Sequence, residues 1–100
     1  MYDMSQLKKL KTLGELAPAG WAGFKAFDDA AMADGAIPAK TKELIALAVA
    51  LTTQCPYCLE IHSKKAKALG CTEAEIAEVV LVAGALRAGA AITHGTQCLG

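Results

Sequence analysis

Apolar residues recur along this chain with the three-and-four spacing of helices, and nowhere do they alternate for long as a strand requires. The pattern predicts five or six helices. The first covers residues 3–13, with Leu7 and Leu10 on one side and Lys8, Lys9 and Lys11 forming a solvated face around the rest; Gly14 stops it. The second begins near Pro18, a residue favoured in a first helical turn, and ends before Gly35. It carries Trp21, Phe24 and Phe27, an aromatic stripe suited to core or subunit contact. Pro38 opens the third, which runs to about Thr53; residues 44–51 are apolar on every side, so this helix is expected to be buried all round. The fourth starts at Cys55-Pro56-Tyr57-Cys58 and stops at Gly70, a glycine in the C′ position. Thr72 and Glu75 make a capping box for the fifth, which places Ile76, Val79, Val80 and Ala83 at core spacing. Gly84 and Gly89 loosen the stretch around Arg87, and a last short helix is expected over residues 90–97.

Composition agrees with an all-α reading: alanine, the best helix former, supplies 21 of the 100 residues. That length fits a single domain over residues 1–100. Hydrophobic residues reach 54%, which excludes disorder and, in a chain with so thin a core, leaves apolar surface for a second copy. Ten basic and ten acidic residues cancel, against a nucleic-acid binder or a polybasic membrane-surface protein. The longest uncharged stretch, residues 44–59, is interrupted by Pro56 and polar side chains and falls short of the roughly 20 apolar residues of a spanning helix. With no apolar leader in the opening residues, a soluble cytoplasmic protein is expected.

In a reducing compartment a Cys-x-x-Cys pair points to redox chemistry or to metal. Pro56 suits the first helical position, which makes Cys55 the N-cap, facing unpaired backbone N–H groups and the positive end of the helix dipole; both favour thiolate over thiol. The i, i+3 spacing lets the two sulfurs approach closely enough for a small-loop disulfide. His62 lies four residues beyond Cys58, so Cys55, Cys58, Leu59, His62, Ala66 and Leu69 share one stripe about 100° wide. A thiol beside a base is the usual arrangement of an activated sulfur nucleophile. Zinc is the competing reading, with Cys71, Cys98 or His94 as a fourth ligand, but none stands at a usual zinc spacing. No cofactor is expected.

Glu43, eleven intervening residues, Cys55-Pro-Tyr-Cys58, three more residues and His62 resemble the signature of the AhpD-like branch of the carboxymuconolactone decarboxylase family, and the similarity runs over residues 37–93. The resemblance implies a compact all-α domain with the CxxC at the N-terminus of a central helix, assembled into homo-trimers or hexamers. It implies thiol-dependent reduction of hydroperoxides, with Cys58 the attacking sulfur, Cys55 the resolving one, His62 the base and Glu43 its orienting partner. The reduced state would be restored by a lipoyl-type or thioredoxin-like dithiol. Tyr57 stands where the family's peroxidases tend to carry a second histidine, whereas dithiol–disulfide exchange needs only the CxxC. A decarboxylase-type non-redox activity is the alternative from the same family. In a simple antiparallel hairpin turning near Cys55, His62 would lie opposite Leu47 or Ala48, so contact with Glu43 requires crossed helices or an asymmetric turn.

Overall fold

The structure, a computed structural model, describes residues 3–100. All regular structure among these residues is helical: a 3-10 helix at Met4–Lys8, then α1 (Lys9–Leu16), α2 (Pro18–Met32), α3 (Ala39–Thr53), α4 (Pro56–Ala68) and α5 (Glu73–Gly95), with a closing 3-10 helix at Thr96–Cys98. The all-α expectation holds.

Helix boundaries follow local chemistry at four places. Pro18 and Pro56 stand in the first turns of α2 and α4. Gly70, at φ 91°, ends α4 in a Schellman motif: its N–H bonds Lys67 O at 3.0 Å and the Cys71 N–H bonds Ala66 O at 2.9 Å. The capping box starts α5, with Glu75 N–H on Thr72 Oγ1 at 3.1 Å and Thr72 N–H on Glu75 Oε1 at 2.8 Å. That Thr72 amide, with Lys40 nearby, holds the Glu75 carboxyl below the ordinary carboxylate range.

Three expectations change. Gly14 does not stop the first helix; α1 continues to Leu16, after the chain has entered through a 3-10 turn rather than an α-helix from Asp3. Gly14 serves a close approach instead, because a Cβ there would stand 2.7 Å from Cδ1 of Trp21 on α2. The last short helix is not separate either. Gly84 and Gly89 lie inside one 23-residue α5, where alanine-rich surroundings carry the helix through. Finally, α3 is not buried all round within this chain: Glu43, Leu47 and Ala50 are buried, whereas Ile45 and Val49 are about half exposed.

α3 is the central helix. α4 and α5 pack on it, and Leu47, Ala66 and Cys71 form the buried centre with Leu44, Leu59, Ile76 and Val79 around them. Among the described residues, the N-terminal part meets this compact part where the first 3-10 helix touches α4 and where α2 touches α3. The radius of gyration, 16.6 Å, exceeds the roughly 13 Å of a close-packed domain of this length, and the molecule is elongated, 54 × 32 × 31 Å. α5 buries only Ala83 and leaves Leu81, Val82, Leu86 and Ile92 in the open. By length and composition alone its stretch Glu73–Cys98, mean hydropathy 1.7, is long and apolar enough to cross a bilayer.

Candidate functional site

The α3–α4 turn builds the site. Gln54 takes the left-handed conformation at φ 56°, Cys55 is extended, and the N–H groups of both bond to Ala50 O. Glu43 and His62 are in contact, His62 Nδ1 standing 2.6 Å from Glu43 Oε2, so α4 does not lie on α3 in the register of a simple hairpin. The Glu43 side chain is 7% exposed and that of His62 19%. A carboxylate only accepts, so against an ionised Glu43 it is the Nδ1–H of His62 that donates.

Cys55 is the N-cap, as its position before Pro56 predicts: its Sγ accepts the Cys58 N–H at 3.2 Å. Cys55 and Cys58 are joined as a disulfide, with Cα atoms 5.3 Å apart. The structure therefore shows the oxidised state of the pair.

The two cysteines differ in what they border. Cys58 and His62 together border two cavities. One, about 690 Å³, lies between α4 and the α1–α2 hairpin, with Leu7, Leu10, Trp21, Phe24, Tyr57 and Ile61 in its wall. The other, about 450 Å³, opens between α2 and α3 past Met32, Ile45 and Val49. Cys55 borders neither.

Sequence reasoning missed the cavity wall. Trp21 and Phe24, with ring centroids 5.6 Å apart, read as core or subunit contact from their spacing, yet they stand across from Cys58. The i, i+3 stripe was the available signal; nothing local says that the hairpin folds over α4. Phe27, in the same stripe, is 75% exposed and lies in neither wall.

The remaining candidates lie apart. Cys71 is buried with its Sγ 3.8 Å from Lys40 O, Cys98 is exposed in the last 3-10 helix, and His94 is exposed near the end of α5. Among the described residues no three His, Cys, Asp or Glu side chains converge as metal ligands would, so the fourth-ligand arrangement is not assembled here.

A family model, that of the carboxymuconolactone decarboxylase family, matches residues 18–99. The chain belongs to this family. It is 44% identical over 102 residues to protein 4 of the cox locus of Paracoccus denitrificans, a match covering 99% of this chain and 92% of the relative. It is 41% identical over 92 residues to a protein of Haemophilus influenzae, covering 92% of this chain and 81% of that one. Among solved structures, a carboxymuconolactone decarboxylase family protein from Legionella pneumophila, in its apo form, superposes with a TM-score of 0.79 at 35% identity, over 82% of this chain and 73% of that one. A protein from Methanobacterium thermoautotrophicum superposes at 0.82 with 31% identity, over 86% and 97%. The AhpD-like resemblance drawn from the motif thus agrees in family with the whole-chain match.

Proposed function

We propose that this carboxymuconolactone decarboxylase family member is a dithiol–disulfide redox enzyme that reduces hydroperoxides. One observation carries the reading: Cys58 and His62 open together onto both cavities, while Glu43 holds the other side of the imidazole at 2.6 Å. In the reduced protein, His62 takes the Cys58 thiol proton, the thiolate attacks the terminal oxygen of the hydroperoxide, the O–O bond breaks, and the leaving alkoxide takes that proton from His62. Cys58 becomes a sulfenic acid and an alcohol departs. The Cys55 sulfur then attacks the Cys58 sulfur, its thiol proton leaves with the hydroxyl group as water, and the Cys55–Cys58 disulfide forms. A lipoyl-type or thioredoxin-like dithiol attacks Cys55, and its second thiol releases a closed disulfide, returning two thiols to the enzyme. Two electrons pass from the dithiol to the peroxide in each cycle. In this scheme Glu43 orients His62 and stabilises its protonated form.

The same proposal has the chain working as a homo-oligomer, a trimer or hexamer, in the reducing cytoplasm. Leu81 at 72% exposure, Leu86 at 67% and Ile92 at 75% supply an apolar face that a second copy would cover. Steady-state turnover of an organic hydroperoxide with a small dithiol tests the chemistry. Cys58→Ser should abolish it, while Cys55→Ser should oxidise once and stall as a sulfenic acid. If both variants turn over normally on a lactone acid instead, the protein is a non-redox decarboxylase-type enzyme.

A further inference from the structure

The larger cavity has a polarity that the redox chemistry does not need. Cys58, Ile61, His62 and Lys65 all line it from α4. Cys58 and Lys65 are seven residues apart, two helical turns, so they share one face with about 10 Å between them along the axis. The trough between them is walled by Leu7, Leu10, Trp21 and Phe24.

Charge is distributed unevenly along it. Asp28 borders the second cavity as well as the first, as only Cys58 and His62 also do, so the acidic side is the sulfur end. Lys25 and Lys65 border the first cavity alone. Lys25 is engaged by Asp29 at 3.4 Å on its own helix. Lys65 makes no ion pair with any described residue, unlike its neighbours Lys64, held by Glu60, and Lys67, held by Glu73. Among the described residues lining this cavity, Lys65 is the cation without an ion pair, two helical turns from Cys58.

We propose that this cavity binds a hydroperoxide of medium chain length that bears a carboxylate, with its O–O end at Cys58 and its carboxylate at Lys65; this rests on the peroxidase reading above. The step is the one already written, the alkyl group carrying a carboxylate at its far end. Lys65 is a specificity residue and takes no part in bond breaking.

Two measurements test this separately from the peroxidase reading. Trp21 is the single tryptophan and stands in the wall, so its fluorescence reports occupancy without turnover. Octanoate should bind roughly two- to fivefold more tightly than methyl octanoate, the scale of one exposed charge pair, and the preference should shrink at high salt. Lys65→Ala should remove the preference and Lys65→Arg restore it. In turnover, omega-hydroperoxyoctanoate should show a KM lower than its methyl ester by the same factor, at equal kcat, and Lys65→Ala should equalise the two. No preference in wild type, or one that survives Lys65→Ala, overturns the proposal while normal turnover leaves the peroxidase reading standing. If neither hydroperoxide oxidises the thiols, the peroxidase reading fails and this substrate assignment fails with it, whatever octanoate does.

Discussion

Replacing Glu43 by glutamine tests whether the carboxylate acts on the imidazole or merely fills space. The two side chains have nearly the same shape, and glutamine can keep an oxygen on His62 Nδ1, so the substitution removes charge and little else. The pair is short, at 2.6 Å, and both side chains are shielded, at 7% and 19% exposure, so solvent screening is weak. A hydrogen bond to a charged group contributes about 1.5–3 kcal/mol where a neutral one contributes about 1, so the charge itself accounts for about 1–2 kcal/mol. If that stabilisation develops as His62 shuttles a proton, Glu43→Gln should slow peroxide-driven oxidation of the thiols roughly tenfold. Stopped-flow mixing of reduced protein with hydroperoxide, followed by thiol trapping, measures this rate. Thermal unfolding of the same variant should change only modestly. A rate within twofold of wild type, with unchanged stability, would show that the Glu43–His62 contact is structural and would refute the relay.

Further substitutions probe the scaffold. Gly14→Ala should destabilise by about 1 kcal/mol and shift Trp21 emission, because the overlap at 2.7 Å outweighs the better helix propensity of alanine; a stabilised variant would mean that the hairpin packs more loosely than described. Thr72→Ala should lower stability by about 1 kcal/mol in chemical denaturation. Because the folded-state pKa of Glu75 is lowered, its contribution is present above the ordinary carboxylate range and is lost as pH falls through the folded value. Glu75→Gln should therefore be less stable than wild type at neutral pH, with the gap closing on acidification; a gap independent of pH would contradict that assignment. Leu81→Glu on the open face of α5 should leave the helix content intact yet reduce the mass in sedimentation to that of one chain; an unchanged mass would move the interface elsewhere.

What the sequence reveals and what it hides divide along local and non-local lines. The cap at Cys55, the end of α4 at Gly70 and the start of α5 at Thr72 and Glu75 each rest on hydrogen bonds within a few residues, and each stands where the pattern puts it. The chemistry-bearing stripe on α4 is legible for the same reason. Gly14 misleads because its use is tertiary: the indole of Trp21 occupies the space a side chain would take. Gly84 and Gly89 mislead because a local propensity loss of roughly 1 kcal/mol each is small against a long alanine-rich helix. The Glu43–His62 contact is visible only as a motif, since simple helical register places His62 opposite Leu47 or Ala48. The aromatic wall is the least legible part. Whether Trp21 and Phe24 face a core, a second copy or a ligand depends on where the hairpin lies, which no spacing within α2 encodes.

The central claim concerns two sulfurs and an oxidant, and counting thiols addresses it directly. Fully reduced protein treated with one equivalent of an organic hydroperoxide should lose two titratable thiols per chain, and peptide mass spectrometry should place the new bond between Cys55 and Cys58 while Cys71 and Cys98 stay free. An unchanged thiol count, or a bond involving Cys71 or Cys98 in place of the CxxC pair, would contradict the account.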